Sequence, residues 1–310
     1  MIGAVDWGGT WIRAALVDGG RIVHRERVPR PDSLPDQYAA IAALVQRSTD
    51  AVGQSPAAVG VGIAGIVQRG VVMSAINLGI TAATDVVAGI AGAFGGSPVF
   101  VVNDLQAAAI TFAARWPDDL TAVISLGTGI GGAIIQRGRL LTGTGAAGDF
   151  GHMIVQLDGS PCLCGGIGCL ETLVSGRVLA NAAGELAATG QSEFVAARLR
   201  AGRSLHAGDL QDAADAGDVA ARATLERAAA AFAAGLRAVV AALDPARIVV
   251  VGSLLADDAA FGRAVRRRWH AVRPAWCTTA LLHVVDDEDA ALLGSASFAA
   301  TQLSDRVSGP

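Results

Sequence analysis

The 310-residue chain contains no lysine, so all 24 of its lysine-plus-arginine residues are arginines. A Walker-type phosphate loop needs a lysine after its glycines, and this route to nucleotide binding is therefore excluded. A lysine Schiff base, and with it ordinary pyridoxal phosphate chemistry, is excluded for the same reason. Any phosphate-binding loop in this chain must rely on backbone dipoles and hydroxyl groups instead.

Charged residues are also scarce, at 17% against 52% hydrophobic, and the net charge is -4. This composition is typical of a globular protein, and the length suffices for two domains with their own cores. The acidic balance argues against a nucleic-acid surface. Residues 1–6 lack a basic signal region, and the longest apolar run, 228–243, contains Arg237 and is short for a membrane span. We therefore expect a cytosolic protein with neither a nucleic acid nor a membrane as partner.

The chain has only four cysteines, which do not form a secreted disulfide framework. Three of them are clustered, and a histidine precedes the cluster. Three thiolates and one imidazole are the ligand set of a closed tetrahedral zinc site. The alternative, in which the three cysteines are buried small apolar residues, is the weaker explanation because glycines surround them. The predicted ligands of this structural Zn²⁺ are His152, Cys162, Cys164 and Cys169. The bound zinc would fix the positions of Asp149 on one side and Glu171 on the other. Cys277 is predicted to be a buried residue outside the site.

Strand and helix patterns alternate along the chain, as in α/β proteins. Apolar runs predict strands over 2–5, 12–17, 21–28, 59–66, 98–102, 247–251 and 281–285. Helical periodicity predicts helices over 35–47, 85–94, 105–115, 181–186, 194–199, 209–217, 218–243, 261–269 and 290–300. Residues 116–119 resemble a linker into a second domain. Gly60, Gly62 and Gly65 have the spacing of a dinucleotide fingerprint, but 66–73 predicts strand, turn and strand where that motif requires a helix.

An internal repeat links the two halves of the chain. Shifted by 118 positions, residues 6–23 align with 124–141 without a gap, and turn glycines and strand alternation coincide. The repeat predicts a strand–glycine-loop–strand hairpin at the head of each domain. Tight β-turns explain Gly19, Gly20 and Gly138, but not the glycines at strand ends beside Thr10 and Thr128. We therefore interpret the two Gly-Thr loops as backbone phosphate clamps.

Two aspartates follow buried strands at the position where α/β sheets place their chemistry. Asp6 is suited to hold Mg²⁺ or its waters beside a phosphate loop. Asp104 precedes a helix and could be its N-cap, since Ser, Thr, Asn and Asp all serve that role. Its pairing with Asn103 at a strand end favours a catalytic base.

These motifs together resemble the ROK family of sugar kinases and repressors. The resemblance rests on Asp6-x-Gly-Gly-Thr10, Asn103-Asp104, Gly127-Thr-Gly-x-Gly-Gly132, Gly151-His152 and the cysteine stretch through Glu171, and it covers nearly the whole chain. It implies an actin/hexokinase-like α/β fold, a duplicated ribonuclease-H-like architecture with an interdomain cleft. The small domain would span 1–117, joined by a closing helix at 290–310, and the large domain 118–289 would carry the zinc loop.

The resemblance also implies site residues and cofactors. Asp104 would be the general base of an ATP-dependent hexose kinase, most simply a glucokinase. The implied sugar-binding residues are Asn103, Asp104, Asp149, His152, Glu171, Gly65 and Asn77. Those implied for ATP and Mg²⁺ are Asp6, Gly8, Gly9, Thr10, Gly127, Thr128, Gly129, Gly131, Gly132, Gly252 and Ser253.

The chain departs from the family pattern at three positions. Asp149 stands where the family usually has Glu, Trp11 where it often has Lys, and Ser253 where it usually has Gly. These departures leave the sugar open, with N-acetylmannosamine, allose and fructose as alternatives to glucose. A sugar-responsive repressor and a non-catalytic zinc module are competing hypotheses. The first predicted strand leaves no room for a DNA-binding helix-turn-helix, and a zinc module leaves Asp104 unexplained. A homodimer is expected from the family alone.

Overall fold

The computed structural model describes residues 1–256, 258–284 and 287–308, which divide into two compact units. The first unit comprises Met1–Asp119, Ala133–Ala147 and Asp287–Pro310. The second comprises Leu120–Gly132 and Gly148–Asp286. The sequence-based domain boundaries, 1–117 with 290–310 and 118–289, remain a proposal about which segments fold independently.

Most predicted strands are present. They are β1 (Ile2–Trp7), β2 (Trp11–Asp18), β3 (Arg21–Pro29), β4 (Val59–Ile63), β5 (Ile66–Gln68), β6 (Val71–Ser74), β7 (Val99–Asn103), β8 (Leu120–Leu126), β9 (Ile130–Gln136), β10 (Arg139–Leu140), β11 (Arg247–Val251) and β12 (Ala280–Val284). The predicted strand at 59–66 is too long, because it ends at Ile63 and a separate β5–β6 hairpin follows. The last residue of the strand predicted at 281–285, Val285, lies outside the described residues.

The helices are α1 (Leu34–Val52), α2 (Val86–Ile90), α3 (Asp104–Ala113), α4 (Gly176–Ala188), α5 (Glu193–Arg200), α6 (Ala207–Asp215), α7 (Val219–Leu243), α8 (Ala260–Val272) and α9 (Ala290–Ser308). The helix predicted at 85–94 is instead two short pieces, α2 and a 3₁₀ turn at Ala91–Phe94. Asp85 caps α2 by accepting a hydrogen bond from the Ala88 N–H. With Gly89, Gly92, Gly95 and Gly96 in or just after this stretch, a long helix is unfavourable there.

The two five-stranded sheets have the same strand order. The first is β3-β2-β1-β4-β7 and the second β10-β9-β8-β11-β12. In the first, β1, β4 and β7 are parallel and β2 and β3 antiparallel to their neighbours; in the second, β8, β11 and β12 are parallel. This repeated order is the duplicated topology that the 118-residue repeat predicts.

The repeat extends to the hairpin turns. Asp18 pairs with Arg21 across a two-residue turn whose glycines have φ of 52° and 79°. At the equivalent position, the turn between β9 and β10 consists of Arg137 (φ 51°) and Gly138 (φ 71°). Two successive positive φ values form the turn that matches the twist of a two-stranded ribbon. Both predicted hairpins are therefore confirmed.

Helix α9 packs on the first sheet, contacting β1, β4 and β7 as well as α3. A Cβ on Gly60 would lie 1.9 Å from the Ser295 carbonyl oxygen, and one on Gly62 would lie 2.7 Å from the Ser295 hydroxyl. These glycines therefore allow a helix to lie directly on β4. The fingerprint spacing in this strand serves packing, and the strand–turn–strand that follows it is confirmed as β5 and β6.

The opposite side of β1 packs against α1. The Trp7 indole is fully buried and donates to the Gln37 side-chain oxygen at 2.8 Å, so its one polar group is satisfied. Ile41 and Leu44 complete this core. In the second unit, α7 packs against α4, α6 and α8. In the part of the chain that the structure describes, no helix combines the length and apolarity that a bilayer crossing requires.

Candidate active site

The sequence-predicted site residues form two sets, one in each unit. The first-unit set comprises Asp6, Gly8, Gly9, Thr10, Gly65, Asn77, Asn103 and Asp104. The second-unit set comprises Gly127, Thr128, Gly129, Gly131, Gly132, Asp149, His152, Cys162, Cys164, Cys169, Glu171, Gly252 and Ser253.

Two carboxylates lie at the carboxyl edge of the first sheet, near the ends of β1 and β7. Asp6 pairs with Gly62 on β4, and a Cβ on Gly62 would lie 3.5 Å from the Cα of Asp104. Burial raises the pKa of Asp104 to about 6, and the negative charge of Asp6 adds to the rise, while a hydrogen bond from the Leu105 N–H opposes it. An Arg13 guanidinium nitrogen lies 3.6 Å from an Asp6 carboxylate oxygen. Asp104 is thus a carboxylate whose pKa lies above that of an ordinary aspartate.

The N-cap of α3 is Asn103. Its side-chain oxygen accepts a hydrogen bond from the Gln106 N–H at 3.0 Å, and its side-chain nitrogen donates to the Gly65 carbonyl at 2.9 Å. The interpretation of Asp104 as the cap is therefore wrong, since Asp104 is the first residue inside the helix. With these two hydrogen bonds, the Asn103 side chain connects Gly65 to the start of α3. Its contact with sugar remains a prediction.

The first glycine loop, Gly8–Thr10, joins β1 to β2 and is fastened by Arg30. The Arg30 Nε donates to the Gly9 carbonyl at 2.7 Å, and the Arg30 backbone N–H donates to the Thr10 carbonyl at 2.9 Å. Gly9 and Thr10 are exposed, and a Cβ on Gly9 would lie 3.8 Å from the Asn77 Cβ. Sequence reasoning missed Arg30 because no local pattern relates it to a loop 21 residues earlier.

The second glycine loop, Gly127–Gly129, is held by the first turn of α4. The Gly176 N–H donates to the Gly127 carbonyl at 2.8 Å, and the Arg177 N–H donates to the Thr128 carbonyl at 3.2 Å. A Cβ on Gly176 would lie 2.7 Å from the Gly127 oxygen, so only glycine allows this approach. The sequence analysis did not identify Gly176 or Arg177 as supports of this loop.

Glu171 also contacts the second loop. One carboxylate oxygen accepts from the Ile130 N–H at 2.9 Å, and the other accepts from the Arg177 guanidinium at 3.3 Å. A Cβ on Gly129 would lie 2.6 Å from the Glu171 carboxylate. The residue predicted to bind sugar thus lies directly against the loop predicted to bind phosphate.

The remaining glycines of this set differ in their surroundings. Gly131 and Gly132 lie within β9, and a Cβ on buried Gly132 would meet the Phe150 ring at 2.4 Å. Packing therefore explains this glycine, and its contact with phosphate stays a prediction. Gly252 has φ of 125°, and its Cβ would lie 2.4 Å from the Leu126 carbonyl, so Gly252 and the exposed Ser253 adjoin the start of the second loop.

The four predicted zinc ligands come together. Their ligand atoms all lie within 4.8 Å of one another. The Cys162 sulfur is 3.5 Å from His152 Nδ1, and the Cys164 and Cys169 sulfurs are 3.6 Å apart. A tetrahedral zinc with ordinary Zn–S and Zn–N bonds gives ligand–ligand separations of roughly 3.6–3.8 Å. The donor set and its geometry therefore fit Zn²⁺.

His152 connects this cluster to Asp149. Its Nε2 lies 3.8 Å from an Asp149 carboxylate oxygen, while its Nδ1 faces Cys162. The two ring nitrogens thus have separate neighbours. Burial raises the pKa of Asp149, and nearby Glu171 adds to the rise while His152 opposes it. Cys277 is buried elsewhere, which confirms its predicted placement.

Solved structures similar to this chain include sugar kinases. A ROK hexokinase from Thermus thermophilus superposes with a TM-score of 0.81 at 29% identity, over 98% of this chain and 99% of that one. A ROK family glucokinase from Streptomyces griseus, solved with glucose and AMPPNP, gives a TM-score of 0.75 at 30% identity, over 97% and 99% of the two chains. These neighbours establish the actin/hexokinase-like α/β fold.

Among curated proteins, the N-acetylmannosamine kinase of Salmonella typhimurium is 38% identical over 188 residues. The match spans 58% of this chain and 63% of that protein, which is less than two thirds of the relative's length. A family model described as "ROK family" matches residues 2–302. Since that match covers almost the whole chain, the chain belongs to the ROK family.

Proposed function

We propose that this protein transfers the γ-phosphoryl group of ATP to a hydroxyl group of a hexose, with Asp104 as the general base. The observation that carries the proposal is the position and basicity of Asp104. It follows a buried parallel strand, it is not used as a helix cap, and its pKa is raised to about 6. A base with this pKa is ionised at neutral pH and accepts a proton more readily than an ordinary aspartate.

The proposed step is a direct displacement. The hydroxyl proton moves to the Asp104 carboxylate as the hydroxyl oxygen bonds to the γ-phosphorus and the bond to the β-γ bridging oxygen breaks, which yields ADP. The exposed backbone of the two glycine loops, with Thr10 and Thr128, would bind the ATP phosphates. Mg²⁺, held through Asp6, would supply charge neutralisation on those phosphates. Gly252 and Ser253 would lie by the adenosine.

Asn103, Asp149, His152, Glu171, Gly65 and Asn77 would surround the sugar. Support comes from the close packing within each set: Asn103 holds Gly65, while Asp149 adjoins His152. Zn²⁺ on His152 and the three cysteines would fix the loop that carries Asp149 and Glu171. Its role would be structural, because all four ligands of a tetrahedral zinc come from the protein.

Glucose is the first candidate substrate, by analogy with the glucokinase that resembles this chain over nearly its full length. N-acetylmannosamine is the second, because the curated kinases that act on it are 38% identical over the matched segment. Asp149 bears on this choice, since a carboxylate one methylene shorter than the usual Glu leaves more room beside His152.

A sugar panel with an ADP-release assay tests the activity. Glucose, mannose, fructose, allose, N-acetylglucosamine and N-acetylmannosamine are each supplied with ATP and Mg²⁺. We expect one of them, with glucose first, to give turnover. Asp104→Asn should lower kcat by roughly 10²–10⁴-fold, the usual contribution of a general base, while sugar binding persists.

The matched control is Asp36→Asn, which neutralises an exposed carboxylate in the first turn of α1 rather than of α3. It should leave kcat unchanged. Near-wild-type turnover of Asp104→Asn would refute the base assignment, and the absence of ADP release with every sugar would refute the kinase.

A further inference from the structure

The first unit contains a cavity of about 520 Å³ whose lining includes no member of either predicted site set. Its walls are β7, α3 and α9, and the turns of the β5–β6 and β9–β10 hairpins lie at its edge. Drug-sized ligands occupy pockets of roughly 300–1,000 Å³. The volume therefore suffices for a small organic ligand.

Positive charge is concentrated around this cavity. Arg69, Arg139 and Arg306 line it, and Asp85 is the only carboxylate among its described lining residues. The whole chain, in contrast, carries a net charge of -4. Clustered guanidinium groups in an acidic protein mark a place that attracts anions, since arginine matches the geometry of carboxylate and phosphate oxygens.

These guanidinium groups are not all neutralised by acidic partners. Among the described residues, Arg69 makes no hydrogen bond or ion pair, and Arg306 is stacked on the Phe100 ring at 4.6 Å. Of the three, only Arg139 has a carboxylate partner within the described ranges, Asp305. The Asp85 carboxylate is occupied, because it caps α2. Two of the three arginines thus remain available to an anionic ligand.

Arg69 lies in a turn whose backbone conformation limits which residues can replace it in a test. Arg69 has φ of 51° at the first position of the β5–β6 turn, where glycine, asparagine or aspartate is favoured. A long side chain with positive φ is uncommon and costs about 1 kcal/mol or more. Arg137 has the same φ at the same position of the β9–β10 turn, so this conformation belongs to the repeated turn and is not evidence for a ligand.

The remaining lining is apolar or neutral. Val101, Ile110 and Phe298 contribute apolar surface, and Thr142 and Thr301 contribute hydroxyl groups. An inorganic ion would leave this apolar surface without a partner. A molecule with a doubly charged phosphate and a small carbon skeleton would satisfy both parts of the lining.

We propose that this cavity binds a small organic phosphate monoester, with Arg69 and Arg306 holding the phosphate. The site is separate from the residues proposed for ATP and sugar. Its occupant would contact β7, which ends at Asn103. It would also contact Gln106 of α3, the helix that begins at Asp104. The proposal does not depend on the kinase activity, because it rests on this cavity alone.

Isothermal titration calorimetry of the full chain with ribose 5-phosphate tests the site. This probe is a monoester but is not the product of a hexose kinase. We expect saturable binding, with no binding of ribose and much weaker binding of inorganic phosphate. Arg69→Asn, which tolerates positive φ, and Arg306→Gln should each weaken binding roughly tenfold, the loss expected for one charge-assisted hydrogen bond.

The matched control is Arg137→Asn. Arg137 occupies the same turn position in the β9–β10 hairpin, also with φ of 51°, but does not line the cavity. Its replacement should leave binding unchanged, and thermal unfolding would verify that all three variants are folded. The proposal is overturned if ribose 5-phosphate does not bind, if both cavity variants bind it as wild type does, or if inorganic phosphate binds equally tightly. A monoester that binds while every sugar fails in the kinase assay would refute the proposed function and leave this site standing.

Discussion

Two opposing influences act on the carboxyl group of Asp104. Asp104 is the first residue of α3, where exposed carboxylates are usually stabilised by the helix dipole, yet burial and the charge of Asp6 raise its pKa to about 6. The Asn103 side chain takes over the capping of α3, which frees the Asp104 carboxylate for a proton. The division of roles between these two neighbours is therefore the central feature of the first-unit set.

The raised pKa of Asp104 predicts how activity depends on pH. The base must be ionised in the free enzyme, so kcat/KM should rise with pH and level off above about 6, the pKa of the folded protein. Asp6→Asn removes a negative charge that raises this pKa, and its rising limb should move to lower pH. The measurement is kcat/KM between pH 4.5 and 8.5. A wild-type profile that is flat across pH 5–7 would contradict the assignment.

The cysteine cluster predicts a combined loss of metal and sugar affinity. Cys164→Ser removes one of the four proposed ligands, so we expect the wild type to bind one equivalent of zinc and the purified variant to lack it. Sugar affinity should fall at the same time, because Asp149 and Glu171 flank the loop that the metal would hold. Elemental analysis and sugar titration by calorimetry measure the two effects.

The control for this substitution is Cys277→Ala, which removes a thiol that is buried elsewhere. It should keep the zinc. If a wild-type preparation without zinc is fully active, the site does not need a metal bound by this cluster, and the prediction is wrong.

At the scale of elements, α4 supports the second glycine loop through its first turn. Gly176→Ala would place a Cβ about 2.7 Å from the Gly127 oxygen, so helix and loop must separate. Because this loop is proposed to bind phosphates, we expect the KM for ATP to rise roughly tenfold, a loss of about 1.4 kcal/mol. Steady-state kinetics at saturating sugar measure the change.

Gly184 on the same helix provides a matched comparison. A Cβ there meets no atom within 4 Å, so Gly184→Ala should leave the KM for ATP unchanged. It should also stabilise the protein by about 0.5–1 kcal/mol, since alanine is the better helix former. Equal KM values for the two variants would contradict the supporting role of α4.

The elements that sequence predicted well are those with a local cause. Glycine pairs at strand ends gave the hairpin at Gly19 and Gly20, and the 118-residue repeat gave its counterpart at Gly138. The proximity of His152 and the three clustered cysteines could likewise be predicted because their spacing in sequence is short. The ROK motifs led to the fold, and the roles that they imply for the site residues remain predictions.

The features that were missed depend on contacts between distant segments. Arg30 fastens a loop 21 residues earlier, and Gly176 approaches Gly127 from a helix that begins far along the chain. The sequence analysis rejected Gly60 and Gly62 as a nucleotide motif but did not find their packing role, because α9 lies more than two hundred residues away in sequence. Contacts between segments that are distant in sequence determine which residue is needed at such positions. Local sequence patterns do not reveal these contacts.

At the scale of the whole molecule, the first unit is completed by the end of the chain. Deleting 290–310 removes α9 from β1, β4 and β7 and exposes the face of Gly60 and Gly62. The lost burial of Leu292, Ala296 and Ala299 exceeds about 3 kcal/mol and is a large part of a domain's stability. We expect the truncated chain to lose the folded first unit, seen as rapid proteolysis within residues 1–119.

Deleting only 304–310 serves as the control, because residues 304–308 are exposed. That variant should resist proteolysis as the full chain does. A 290–310 deletion that unfolds at the wild-type temperature would show that α9 is dispensable.

The dependence of the first unit on α9 has a consequence for synthesis on the ribosome. The amino-terminal segment emerges first, but its packing partner is translated about 10 to 30 seconds later at usual elongation rates. During that interval the face of the first sheet that α9 covers is exposed to solvent. Residues 148–284 of the second unit, in contrast, are translated as one nearly continuous stretch. Nascent chains of this protein should therefore recruit a chaperone early and release it only after α9 has emerged.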